Sequence, residues 1–149
     1  MSRSHLTPAE ATDRHGRLLA LSMSTMAVLF GANAAKRIAG DELEQFVDVA
    51  QIVLVMAIGL LLIPVFRWKA VVLRSFSPEE RRHYFAADSY MVSSLKKARA
   101  LSWSVTFVLL VLLSIASGVF SDMPARFFLD AALAVMVGVF AITVLVLNR

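Results

Sequence analysis

Long apolar runs alternate with shorter polar segments along the whole chain. Four such runs occupy roughly residues 18–35, 46–66, 101–120 and 127–147. Each is close to the ~20 residues that a helix needs to cross the ~30 Å hydrocarbon layer of a membrane. The runs are continuous rather than alternating, which favours helices over the strands of a membrane barrel. We therefore predict an all-α integral membrane protein whose four transmembrane helices form two antiparallel hairpins.

The polar segments divide the chain around these spans. We expect a cytoplasmic N-terminal helix at 1–17, a first transmembrane hairpin at 18–66, a basic cytoplasmic connection at 67–100 and a second hairpin at 101–149. The turns inside the hairpins are short, so they leave no room for an external domain.

Capping sequences predict where several helices begin. Thr7-Pro8-Ala9-Glu10 and Ser77-Pro78-Glu79-Glu80 each combine a capping box with a proline at the first helical position. The external turns carry start signals of their own, which are Asp41 with Glu44, and Asp122 before Pro124. We expect the helix that begins near residue 78 to be amphipathic and to lead without a break into the third span.

The basic residues are distributed unevenly between the two ends of these spans. Of 15 Lys and Arg residues, three (Lys36, Arg37 and Arg126) fall in the turns after the first and third spans, and the other twelve fall in the N-terminal segment, the 67–100 connection and the C-terminal end. Because basic residues concentrate on the cytoplasmic side, both termini are predicted to be cytoplasmic, in a bacterial-type inner (plasma) membrane. The net charge of +4 then reflects orientation, and no nucleic-acid partner is expected.

The first span has a second interpretation. Arg14 and Arg17, followed by an apolar stretch that ends in Ala32-Asn33-Ala34, also resemble a signal peptide with a small-residue cleavage site. We expect the stretch to be retained as the first membrane helix.

Composition limits the chemistry that the chain can perform. A hydrophobic share of 58% and a mean hydropathy of +0.71 are typical of a membrane protein and not of a soluble enzyme. The absence of cysteine excludes disulfides, thiolate nucleophiles and iron–sulfur clusters. No catalytic or phosphate-binding motif is visible. All histidines lie outside the apolar runs, and His15 and His83 would share a metal only if the two cytoplasmic helices that carry them paired. We predict a protein that is not an enzyme and has no cofactor, catalytic residue or metal site.

Two acids stand near the outer ends of the second and fourth spans. Asp48 and Asp130 occupy matching places in FVDVAQIVLV (46–55) and FLDAALAVMV (128–137), a similarity that a duplication and a chance match of apolar helices both explain. A carboxylate there faces the positive end of the helix dipole near the interface, where its desolvation cost is small. We interpret both acids as helix-mouth residues that are paired or capped. The alternative is an outer-mouth cation or proton site built from Asp48, Gln51, Asp130 and Asn33.

The predicted cytoplasmic helix has an apolar face with two possible uses. Tyr84, Phe85, Met91 and Val92 fall at helical spacings that place them near one another. They would either pack against the protein's own N-terminal helix or lipid headgroups, or form a docking surface for a partner.

Small residues within the spans predict where helices approach closely. In lipid such residues replace the hydrophobic drive between helices, because they let the backbones come together. They would hold the four helices together or mark a face for another subunit, and the candidates are Ala27, Gly31, Ala35, Gly118 and Gly138.

Function is the least constrained property of this sequence. The middle of each span holds no ionisable residue, and the polar residues found there are Ser and Thr of the first, third and fourth spans, which we expect to bond back to their own helix. A coupled transporter normally needs an ionisable group there. We therefore expect a non-catalytic accessory, assembly or regulatory subunit of a larger membrane protein complex, with membrane lipids as the other partner. The alternative is a small homo-oligomeric ion or solute transporter or channel with the two aspartates at its outer mouth.

Overall fold

The chain folds into five helices in a computed structural model that describes residues 7–39, 44–86, 89–117 and 124–147. They are α1 (Pro8–Ala39), α2 (Glu44–Ser75), α3 (Pro78–Phe85), α4 (Tyr90–Ser117) and α5 (Ala125–Leu147). Four candidate spans, within α1, within α2, over α3 and α4, and within α5, are long and apolar enough to cross a membrane. The predicted all-α fold with four such helices is confirmed.

Both predicted capping boxes are present where these helices begin. At α1 the Thr7 backbone N–H donates to the Glu10 carboxylate at 2.9 Å, and the Glu10 N–H donates to the Thr7 hydroxyl at 3.3 Å. At α3 the same exchange joins Ser77 and Glu80, with proline at the first helical position. Each box satisfies backbone donors that a helix start leaves without a partner. The capping residues Asp41 and Asp122 lie outside the described residues.

The predicted unbroken helix from residue 78 into the third span is wrong. α3 ends at Phe85, because Ala86 adopts an extended backbone conformation (φ −60°, ψ 145°). A new helix start follows, in which the Ser89 hydroxyl accepts a hydrogen bond from the Val92 backbone N–H at 3.3 Å. A serine cap of this kind competes with helix continuation, in agreement with separate helices ending at Phe85 and beginning at Tyr90.

Three pairs of helices pack extensively. α1 packs against α5 and against α2, and α4 packs against α5. Among the described residues, α2 and α4 make no comparable contact. A small cluster of Ala20, Ala98 and Val144, each fully buried, joins α1, α4 and α5. The body is therefore open on one side, where α2 and α4 do not close on each other.

The interior of the body is bonded largely within single helices. The hydroxyls of Ser22, Thr106 and Thr143 donate to the backbone carbonyl four residues earlier, as the sequence predicts. Ser102 is different, because its hydroxyl donates across to the Met136 carbonyl of α5 at 2.6 Å. That bond fixes α4 against α5 near their middles.

The small residues predicted to mark close helix packing differ in whether they contact another helix. Gly138 of α5 faces Ala27 of α1, since a Cβ atom built on Gly138 would lie 3.6 Å from the Ala27 Cβ. A Cβ built on Gly31 would meet no atom of the described part of the chain within 4 Å, and Ala35 is exposed. Gly118 lies outside the described residues. The close approach of α1 and α5 thus involves Ala27 and Gly138.

Candidate functional site

Two groups of side-chain contacts, at opposite ends of the helical body, hold its elements together. The first group, which we call the ion-pair end, consists of Asn33, Lys36, Arg37, Asp48, Gln51 and Asp130. It forms where α1 finishes and α2 and α5 begin. The Lys36 Nζ donates to Asp48 Oδ1 at 2.6 Å, and the Arg37 Nε donates to Asp130 Oδ2 at 3.1 Å. Two successive residues of α1 thereby bind α2 and α5.

An amide pair completes the ion-pair end. Gln51 Nε2 donates to Asn33 Oδ1 at 2.5 Å, one turn deeper in α1 and α2 than the Lys36–Asp48 pair. The structure therefore brings all four residues of the hypothesised cation site to one end of the body. Each aspartate nevertheless already has a basic partner, as expected for a helix-mouth acid.

The described residues that line a cavity at this end do not suit a cation. Its volume is about 440 Å³, and the described residues that line it are Asn33, Lys36, Arg37 and Gln51. Two of these are cations and two are amides, whereas hard cations prefer several carboxylate or carbonyl oxygens. No group of three or more potential metal-ligating side chains is found among the described residues.

The two ion pairs differ in exposure, and we expect their contributions to differ accordingly. The Asp130 side chain is 14% exposed, and the Asp48 side chain is 52% exposed. Asp130→Asn should lower the free energy of unfolding by about 1–3 kcal/mol, because a partly buried Arg37 loses a charged partner. Asp48→Asn should cost less than about 1 kcal/mol, as for exposed ion pairs. Unfolding of both variants in detergent measures the difference, and a larger loss for Asp48→Asn would contradict it.

The second group, which we call the aromatic junction, is a buried cluster at the opposite end of the body. It consists of Ala11, Trp68, Val72, Phe76 and Tyr84, with Met91 and His15 packed against it. These residues come from the start of α1, the last turns of α2, α3 and the start of α4. The cluster is thus the place where α3 is attached to the helical body.

Trp68 makes the central contacts of the aromatic junction. Its indole N–H donates to the Tyr84 hydroxyl at 3.0 Å, and its ring stacks on His15 with centroids 5.4 Å apart. Phe76 meets the Tyr84 ring edge-on at 5.4 Å. Trp68 and Tyr84 are only 5% and 4% exposed, so their polar atoms need the partners that they have.

Tyr84 is therefore not available as a docking residue, which corrects one of the two interpretations of this face. Tyr84 and Met91 pack inside the chain, against α1 and α2, in agreement with the alternative of internal packing. Phe85 is 44% exposed and Val92 is half-buried, so these two remain at the surface.

Sequence reasoning missed most of the aromatic junction. Trp68 was not among the candidate residues predicted from the sequence, and His15 was considered only as a possible metal partner of His83. His15 instead lies half-buried on Trp68, and its buried Nδ1 has no hydrogen-bond partner in the part of the chain that the structure describes. The signal that could have revealed the cluster is the four-residue spacing of Trp68, Val72 and Phe76, which continues one face of α2 to the residue just after its end.

Comparison of the chain with protein-family models, with curated proteins and with solved structures finds no match.

Proposed function

We propose that the chain inserts into a bacterial-type inner (plasma) membrane as two antiparallel hairpins with both termini in the cytoplasm. The four long apolar helices support insertion. The uneven distribution of basic residues supports the orientation, because the aromatic junction lies at the end with most of the arginines and lysines. The aromatic junction is then cytoplasmic, and the ion-pair end faces outward.

Within that membrane we propose a non-catalytic accessory, assembly or regulatory subunit of a larger membrane protein complex. The observation that carries this proposal is the uncovered surface of α2. Nine large apolar side chains between Phe46 and Phe66 are exposed, and these two phenylalanines are 73% and 78% exposed. Surface of this kind meets lipid or another membrane helix, and a partner helix packing there requires no rearrangement of α1, α4 or α5.

The alternative of a homo-oligomeric transporter or channel has weaker support. Its favourable observation is the cavity at the ion-pair end, whose described lining residues are all polar or charged. The aspartates proposed for its mouth are occupied by Lys36 and Arg37. The middle of each span also lacks any ionisable residue. Both facts favour a protein that associates over one that transports.

The test is purification of the tagged full-length chain in mild detergent, followed by mass spectrometry of the co-purifying proteins. We expect a larger membrane protein at a fixed stoichiometry. Gly59→Leu should reduce its recovery about fivefold or more, because the added side chain protrudes from α2, where a Cβ meets no atom of the described residues within 4 Å.

The matched control for this test is Gly31→Leu. It adds the same bulk to an equally open position on α1, so it should leave recovery of the partner unchanged. Recovery of a pure homo-oligomer, with no larger protein, would contradict the accessory role and favour the transporter or channel.

A further inference from the structure

A second cavity lies beside the first turns of α1. Its volume is about 320 Å³, and the described residues that line it are Asp13, Arg14, Arg17, Leu18 and Leu21. Ala11 and His15 of the same helix face the aromatic junction. The cleft is therefore on a different side of α1 from the contacts that hold the cytoplasmic end together, and it takes no part in them.

The polar half of this cleft carries a net positive charge. The Arg17 Nε donates to Asp13 Oδ1 at 3.0 Å, and the Asp13 carboxylate therefore balances the charge of Arg17. Arg14 is exposed, and no carboxylate among the described residues pairs with it. A phosphate group would find the exposed guanidinium of Arg14 and a second guanidinium, 73% exposed, on Arg17.

The apolar half of the cleft begins where the first apolar run begins. Leu18 is half-buried and Leu21 is 53% exposed. Arg14 stands four residues before Leu18, which is about 6 Å along a helix axis. The headgroup layer on each side of a bilayer is about 5–8 Å thick. The axial separation of Arg14 and Leu18 is therefore comparable to the thickness of the headgroup layer.

We propose that this cleft binds the phosphate of an anionic phospholipid in the cytoplasmic leaflet. Arg14 and Arg17 donate hydrogen bonds to the phosphate oxygens, and Leu18 and Leu21 contact the upper part of an acyl chain. The proposal rests on the orientation given under the proposed function, with the start of α1 at the cytoplasmic face. A lipid fits better than a free phosphate ion, because a free ion would leave the leucines of the cleft without a partner.

The experiment is titration of the purified full-length chain in neutral detergent with phosphatidylglycerol, read out by native mass spectrometry. We expect saturable binding that is at least tenfold tighter than binding of zwitterionic phosphatidylcholine. A basic residue near an anionic surface is worth about fivefold in affinity, so Arg14→Gln with Arg17→Gln should weaken binding about 25-fold. Equal affinity for the two lipids, or unchanged affinity in the double variant, would overturn the proposal.

The control variant is Arg74→Gln with Arg82→Gln. It removes the same charge from exposed positions at the same end of the protein, and it should change the affinity less than twofold. An equal loss of lipid affinity in this control would show that the lipid is attracted by positive charge anywhere on the protein and not by a specific site. That result would overturn the proposal.

Inorganic phosphate distinguishes the two sources of the ligand. A hundredfold excess of inorganic phosphate over the lipid should leave lipid binding unchanged. Displacement of the lipid by phosphate would assign the cleft to a free anion and overturn the lipid proposal. The measurement uses the chain without any partner protein. Failure to recover a larger complex therefore leaves its outcome unaffected, and failure of lipid binding leaves the accessory role standing.

Discussion

Trp68→Ala is expected to lower the free energy of unfolding by about 3–5 kcal/mol, the range for truncating a large buried aromatic residue. The substitution empties the centre of the aromatic junction. It removes the ring on which His15 stacks and the donor that binds the Tyr84 hydroxyl. Because α3 is attached through these contacts, we also expect α3 to become accessible to protease before the rest of the protein unfolds. Unfolding of the purified chain in detergent and limited proteolysis measure the two effects.

Trp103→Ala is the matched control for this prediction. Trp103 is 64% exposed on α4, so its loss leaves no internal cavity. It should cost less than about 1 kcal/mol and leave α3 protected. Equal losses for the two tryptophans would show that the aromatic junction does not stabilise the fold.

Gly138→Leu is expected to lower the free energy of unfolding by about 1–3 kcal/mol, the usual cost of overpacking. The new side chain would enter the contact between α5 and α1, where the space beside Gly138 already holds Ala27. Separation of these helices would also lengthen the Arg37–Asp130 ion pair. Unfolding in detergent measures the loss, and a cysteine pair across α1 and α5 reports the separation through its cross-linking yield.

Two other substitutions show whether the effect depends on size and position. Gly138→Ala should be tolerated, because 3.6 Å is an ordinary contact distance for a Cβ atom. Gly31→Leu places the same leucine in open space on α1 and should not destabilise the protein. Destabilisation by Gly31→Leu as large as that by Gly138→Leu would contradict the assigned packing.

The four long helices could be predicted because lipid and water place opposite demands on a chain. An apolar run of about 20 residues has few stable alternatives to a helix. The starts at Thr7 and Ser77 were equally predictable, since a capping box satisfies backbone groups within four consecutive residues. Local sequence was sufficient wherever the interaction that decides the structure is itself local.

The contacts between elements were less predictable. The spacing of Tyr84 and Met91 identifies a face that must be covered, but it does not identify Trp68 as the residue that covers Tyr84. The break after Phe85 was missed because no proline or glycine marks it, and a serine cap supplies the interruption instead. At the ion-pair end the sequence indicated paired acids. Which base meets which acid depends on the packing of α1 between α2 and α5.

The contact between α1 and α5 has a consequence for the order in which the protein is made. Arg37 and Asp130 are 93 residues apart in sequence, although their side chains form one ion pair. A ribosome adds about 5–20 residues per second, so roughly 5–20 s pass between the synthesis of these two residues. During that interval α1 has α2 beside it but lacks α5, and its Ala20 and Ala27 face remains uncovered. A chain that stops before residue 125 would therefore lack both the helix that covers this face and the ion-pair partner of Arg37.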